Sequence, residues 1–275
     1  MEHPVEVAIA VKRTVHEALT TALASLSSPL SISGSIDRVV VKPSILDPKL
    51  PGNTSLDIMH SVVGLFKESS EILIVESDNP LRTTSDAFSQ CGYHELAGNQ
   101  VKLVNLTTEP QKLVVMPGHH FETHSIPISL LGNRLLVNVA TLKVDPESHA
   151  VSGAVKNLFG LLPDVDKQAL HPFLDDVLLD MLDLSRPDLT IMDLSEVVVG
   201  ERLTGEARRV GGVVVGRDAV AVDAFCAGLL GFDSLEVPYI RRAHEIGLGE
   251  AILDRIAVRG TEHQKRVLAE SMRLR

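Results

Sequence analysis

The sequence predicts an α/β protein: a largely parallel, twisted sheet flanked by helices. Short runs of β-branched and other apolar residues alternate with longer amphipathic stretches, and turn residues stand between them, the βαβα order that a parallel sheet requires. Between about Lys112 and Leu142 this alternation gives way to consecutive strand-like runs with no helix between them, which predicts an antiparallel insert or edge.

In order, Val5 to Ala10 reads as a strand and His16 to Leu26 as a helix. Arg38 to Val41 is the next strand, Thr54 to Lys67 the next helix, and Glu71 to Glu76 (EILIVE) a third strand. Ser85 to Leu96 is predicted helical and Val101 to Leu106 extended, with links short enough for right-handed crossovers. Strands at Ser125 to Leu130 and Arg134 to Val139 make up the insert. Helices follow at Ser152 to Leu162 and Asp166 to Leu184, strands at Leu189 to Met192 and Val210 to Val215, and a helix at Ala219 to Leu230. Tyr239 to Ile246 and Glu262 to Leu274 read as helical, while Ile252 to Val258 fits either state. With no repeat and no low-complexity linker, residues 1-275 are read as a single α/β domain, with a possible division into lobes 1-110 and 111-275.

A hydrophobic content of 44% over 275 residues is enough for a sizeable core. The net charge of −10 repels a phosphate backbone, and seven Phe, two Tyr and no Trp leave little for base stacking, so nucleic acid is not an expected partner. Met1 to Glu6 lack the pattern of a signal peptide, and no apolar run approaches the ~20 residues of a membrane span. Two distant cysteines, Cys91 and Cys226, suit a reducing compartment, so the expected location is cytoplasmic, away from membranes. A small anionic ligand is the expected partner; no cofactor and no oligomeric state can be read from the residues.

Leu142 to Pro163 (LKVDPESHAVSGAVKNLFGLLP) is the richest segment. Val151, Val155, Leu158, Phe159 and Leu162 recur at helical spacing, Ser152 is placed to cap the helix, and Gly153 allows close approach of a ligand. Lys156, Lys143, His149 and Asn157 cluster about that helix start, whose free N–H groups and dipole favour a phosphate or carboxylate. The same residues also describe an ordinary capped amphipathic helix with a solvated lysine. Lys42 follows the strand Val39-Val40-Val41 directly and should emerge at the ligand-binding edge of the sheet, converging with Lys156 on a pocket where Glu76 or Asp223 offsets the two charges. Asp223 is the one charged residue of the apolar helix Ala219 to Leu230 and needs a partner, catalytic or purely structural; Asp218 is the expected cap of that helix. The stretch from Asp193 through Gly200 to Gly205 is read as a loop that either rims a ligand site or is simply solvated. His119, His120 and His124 would be spread by strand geometry, so zinc or nickel should bind there only weakly, and no metal site is assigned.

Val39-Val40-Val41-Lys42-Pro43, then Leu142-Lys143 leading to Lys156-Asn157-Leu158-Phe159-Gly160, then Gly216-Arg217-Asp218-Ala219-Val220-Ala221-Val222-Asp223-Ala224 together resemble the domain-of-unknown-function 362 family over most of the chain. Where that family usually has Lys-Thr-His, this chain has Lys143-Val144-Asp145; before Gly200 it has Val199 in place of a frequent glutamate, and Arg202-Leu203 in place of Gly-Pro. The ferredoxin-like cysteine motifs of some members are missing. The lysine-bearing stretch is also distantly similar to one in lactate racemase-type proteins, where a nickel-pincer nucleotide is joined to a lysine. Three readings follow. The first is an enzyme holding a small anionic metabolite or cofactor through Lys42, Lys143 and Lys156, with Asp223 orienting a lysine. The second is a non-catalytic binding or accessory protein, and the third a nickel-pincer-type isomerase.

Overall fold

Almost every strand residue at the centre of the molecule is apolar on both sides, which suits a sheet covered by helices on two faces. The computed structural model describes residues 4–28, 36, 38–69, 71–145, 150–201 and 204–272. Along the chain these form β1 (Glu6–Ala10), α1 (Val15–Ser25), β2 (Arg38–Pro43), α2 (Leu56–Leu65), β3 (Ile72–Glu76), α3 (Thr84–Gln90), β4 (Val101–Asn105), β5 (Gln111–Val115), β6 (Thr123–Pro127) and β7 (Arg134–Asp145). Then come β8 (Ala150–Ser152), α4 (Ala154–Asn157), α5 (Leu174–Leu184), β9 (Leu189–Val199), β10 (Glu206–Arg209), β11 (Val213–Gly216), α6 (Ala219–Leu230), α7 (Pro238–Glu245), β12 (Ala257–Arg259) and α8 (Glu262–Met272).

Ten of these strands form one sheet in the order β12-β1-β11-β9-β7-β2-β3-β4, with β10 on β9 and β8 on β7. The run β9-β7-β2-β3-β4 is parallel, β11 lies antiparallel between β9 and β1, and β12 is parallel to β1. The sheet therefore draws strands from both sides of residue 110. Side chains of α1, α2 and α3 pack with Val39, Val41, Ile74, Val137, Val139 and Ile191 on one face. Those of α4 to α8 pack with Val40, Leu73, Leu136, Ala140, Leu142 and Met192 on the other. Thr14, Ser55, Thr83 and Asp218 cap α1, α2, α3 and α6, each accepting a main-chain N–H of the first turn.

One expectation is narrowed and two are corrected. The antiparallel insert or edge expected near residues 112–142 is present but shorter than that range. Only β5 and β6 form a separate antiparallel hairpin, whereas β7 is a parallel strand at the centre of the sheet, in register with β2 from Arg38 opposite Arg134 to Pro43 opposite Val139. Leu135 to Leu142 is buried on both faces, so its near-continuous apolar run marks an interior parallel strand. The expected helix from Ser152 to Leu162 is one turn of α4 followed by a 3-10 turn over Leu158–Leu161, and Ser152 itself belongs to β8, opposite Lys143, so it caps no helix. The third concerns residues 193–199, expected as loop. They continue β9, with Asp193 opposite Val213 of β11 and residues 196–199 paired with β10, because Val197, Val198 and Val199 supply the β-branched residues that a strand prefers.

Candidate functional site

From β2 the chain moves outward through β3 and β4, then returns to lay β7 on the other side of β2 and β9 beyond it. The direction of winding thus reverses between β2 and β7, and the crevice beyond the carboxyl ends of these two strands is where open α/β sheets bind ligands. Ser44 and Thr141 stand at that crevice. Thr141 Oγ1 donates to the Gly52 carbonyl at 2.7 Å, and Lys143 Nζ donates to Thr141 Oγ1 at 2.5 Å and to Ser44 Oγ at 3.1 Å. Gly52 crosses directly above, with φ +74, and a side chain there would press on Val198 and the Lys143 stem. Asp193, opposite Thr141 in the β7–β9 ladder and 2% exposed, accepts from Ser55 Oγ at 3.2 Å. A lysine, three hydroxyl side chains and a carboxylate are therefore gathered at one edge. Ser55 also lines an open cleft of about 660 Å³ shared with Arg13, His16, Asp57, His60 and Ser195.

Lys42 lies on the other face. In the alternation of β2 and β7, Val41 and Val137 face α2 while Lys42 and Asn138 face α4. Its ammonium, 1% exposed, is 2.8 Å from Glu76 Oε2 and donates to the Pro43 carbonyl at 2.5 Å; burial lowers its proton affinity and Glu76 opposes that effect. Glu76 also takes the Ser77 N–H at 2.9 Å and faces Arg82 at 3.7 Å, whose guanidinium holds the Ile45, Leu46 and Ser77 carbonyls. A Cβ on Gly160 would lie 2.8 Å from Lys42 Cε, so glycine is what lets the 3-10 turn close over this pair.

The three-lysine cradle therefore does not assemble. Lys42 and Lys143 point to opposite faces, and the cations that bear electrostatically on Lys42 or feel its charge are Arg82 and Lys167. Lys156 lies by Asp175 of α5, whose carboxyl is raised by burial and held down by Arg242 and Lys156. Its neighbour Asn157 does reach Lys42, donating to the Lys42 carbonyl at 3.3 Å and to Asn138 Oδ1 at 2.8 Å. Gly200, at φ +104, makes the β9–β10 turn and donates its N–H to the Val144 carbonyl at 2.8 Å. His149 lies outside the described residues.

Asp223 is fully buried, and its partners are main-chain donors, the α4 N–H groups of Ala154 at 2.6 Å and Val155 at 2.9 Å, together with the Tyr239 hydroxyl at 3.1 Å. The anion waiting at the start of α4 is this carboxylate, so that helix start holds no external ligand. Gly153 permits the approach, because a Cβ there would overlap Asp223 Oδ1. Burial pushes the Asp223 carboxyl up to about 6, against the pull of these donors.

Sequence reading missed Ser44, Thr141, Arg82, Lys167 and Asp180. Asp180, fully buried on α5, receives the N–H groups of Gly118, His119, His120 and Phe121 at 2.8–3.0 Å, so the histidine-rich turn is folded around a carboxylate. His124 leaves that turn and pairs with Asp164 at 2.9 Å. Among the described residues no group of three or more His, Cys, Asp or Glu side chains is arranged to hold a metal ion, and no helix is long and apolar enough to cross a membrane.

Fold and site define an open, mostly parallel α/β protein with a lysine and hydroxyl cluster at its switch point. A family model described as a domain of unknown function, DUF362, matches residues 39–228, and the chain belongs to that family. It is 25% identical over 252 residues to a thylakoid-associated protein of Synechocystis sp., covering 84% of this chain and 75% of that one. No solved structure matches the chain. None of these comparisons shows a likeness to lactate racemase-type proteins.

Proposed function

We propose that the protein is an enzyme of the cytoplasm that holds a small anionic metabolite or cofactor in the crevice beyond β2 and β7. The carrying observation is Lys143 Nζ bonded to the Ser44 and Thr141 hydroxyls at the point where the winding of the sheet reverses. A lysine fixed by two hydroxyls presents a localised positive charge, and the Ser44 hydroxyl, which accepts from it, can donate its own proton beside it, the polar set that a phosphate or carboxylate needs. In a chain of net charge −10, a cation kept at this edge concentrates anions where the rest of the surface repels them. Asp193 on the adjoining strand supplies an acceptor, so a proton donor and a proton acceptor face the same crevice, which favours catalysis over passive storage. Two free cysteines suit a reducing interior.

The test is native mass spectrometry of freshly purified protein, followed by thermal shift with phosphate, pyrophosphate and citrate at low and high salt. A retained or stabilising anion whose effect weakens with salt and disappears in Lys143→Ala is expected. Retention of no ligand, together with no stabilisation by any of the three anions, overturns the reading.

A further inference from the structure

The open cleft of about 660 Å³ adjoins the Lys143 crevice on the α1–α2 face of the sheet. Arg13 reaches it from the link after β1, His16 from α1, Ser55, His60 and Ser61 from α2 and its cap, and Ser195 from β9. Ser55 Oγ donates to one oxygen of Asp193 at 3.2 Å, and the Ser195 N–H donates to the other at 2.9 Å. Asp193 stands opposite Thr141, which accepts from Lys143, so this buried carboxylate forms the wall between cleft and crevice. The cleft itself is basic. Asp57 is the one acid among its described lining residues, against an arginine and two histidines. Arg13 and His60 have no hydrogen-bond or ion-pair partner among the described residues, while His16 meets the Ser61 hydroxyl at 3.3 Å through Nδ1. Nor do the histidines and Asp57 converge as ligands of a metal ion. Arg13 and His60 thus face the cleft with their donors uncommitted, beside a ligand crevice, in a chain whose net charge is −10.

We propose that this cleft is the second half of the ligand site and receives a phosphoryl group, held by the Arg13 guanidinium and the His60 imidazole. The molecule bound at Lys143 is then a phosphorylated one with a second anionic group at its other end. This rests on the reading of the Lys143 crevice as a ligand site and names the class of molecule that it takes. A guanidinium offers a planar fork of N–H donors that matches two phosphoryl oxygens at once, and an imidazole beside it serves the third. A carboxylate, with two oxygens and one charge, would leave part of that set unused. The first turns of α1 and α2 open on the same cleft, and their dipoles add to the preference for a dianion. Asp193 keeps the two halves of the ligand apart: held by Ser55 and Ser195, it repels an anion from the wall and directs the phosphoryl group outward to Arg13 and the other anionic group inward to Lys143.

The test is calorimetric titration of the intact protein at neutral pH and low salt with phosphonoacetate and its longer homologues phosphonopropionate and phosphonobutyrate, beside acetate and inorganic phosphate. These probes carry a phosphonate at one end and a carboxylate at the other, and differ in the span between them. The best of the three should bind about tenfold or more tightly than acetate or phosphate alone. Arg13 and His60 are exposed, so the double variant Arg13→Gln with His60→Gln keeps the fold, which its melting temperature verifies. It should lose that gain and bind the probe no better than acetate, whereas Lys12→Gln, which removes the same formal charge from an exposed neighbour outside the cleft, should keep it. Lys143→Ala should bring the probe down to the level of phosphate. No gain by any of the three probes over acetate and phosphate, or an equal loss in Lys12→Gln, overturns the proposal. Loss in Lys143→Ala but not in the double variant overturns the cleft and leaves the crevice reading standing. Loss in the double variant but not in Lys143→Ala overturns the crevice reading and leaves the cleft as a phosphoryl site on its own.

Discussion

Removing the Asp223 carboxylate is the sharpest test of how the helix-bearing face is held together. In Asp223→Ala the Ala154 and Val155 N–H groups and the Tyr239 hydroxyl lose their acceptor inside a closed core. Each buried donor left unsatisfied costs about 1–3 kcal/mol, and relief of the buried charge offsets part of that, so a net loss of about 3 kcal/mol is expected at pH 7. Asp223→Asn keeps one acceptor and should cost about 1 kcal/mol. The pH dependence separates the two effects. The folded-state carboxyl is pushed up to about 6, against the ordinary aspartate value of 3.8 in the unfolded chain, so the folded protein binds this proton more tightly than the unfolded chain does. The penalty for holding the charge is thus fully present above pH 6 and fades as pH falls toward 4, a contribution of about 3 kcal/mol in favour of acid. Carboxyls held below their usual range, such as Glu6 and Asp164, act in the opposite sense and are common to both proteins, so the readout is the difference between wild type and Asp223→Asn in urea melts from pH 4 to 8. A difference that does not change with pH, or an Asp223→Ala variant as stable as wild type, would show that the carboxylate is not the cap of α4.

Glu76→Leu leaves Lys42 and Arg82 buried without their acid and should cost about 3–5 kcal/mol in a urea titration, whereas a surface pair such as Lys102 with Glu71 should cost under about 1 kcal/mol when broken. Gly153→Ala drives a methyl group into Asp223; its cost, read by the same titration, should be strongly non-additive with that of Asp223→Asn, and simple additivity would mean that the two residues do not meet. Asp180→Ala frees four main-chain N–H groups of residues 118–121, so amide hydrogen exchange should accelerate at that turn far more than in the central strands; unchanged protection there would refute the carboxylate's role.

Much of the fold was legible because it rests on local pattern. The strands at Glu6–Ala10, Arg38–Pro43 and Ile72–Glu76 and the apolar helix Ala219–Leu230 announce themselves by period, and that helix also by its cap at Asp218. Sheet position was not local. Arg134–Asp145 carries the same apolar run whether it lies at an edge or the centre, and only its pairing with β2 and β9 decides. The helix expected after Ser152 was shortened by forces outside the segment. Gly153 and Gly160, read as allowances for a ligand or passed over, are small so that Asp223 and Lys42 can approach from elsewhere in the chain.

The same physics explains why the candidate site was only half visible. A buried polar group is defined by its partner, and partners here are far apart in sequence: Asp223 with residues 154–155, Asp180 with residues 118–121, Lys167 with Ser77. Asp223 stood out because it interrupts an apolar helix, but Asp180 has Asp175, Asp176 and Asp183 around it and looks like one more solvated acid of an amphipathic helix. Lys42 was found from its place after an apolar strand and Lys143 from the helix start expected at Ser152, yet their separation onto two faces follows from strand alternation counted against the helices above and below. That separation divides the molecule into two polar centres, one beneath the turn at Gly52 and one beneath the turn at Gly160. Each centre joins side chains from several segments, so neither survives if one strand slips its register. Because a slip of one residue in β2 would exchange the faces of Val41 and Lys42, burying a lysine among α2 side chains, the ionic centres also help to fix the register that creates them.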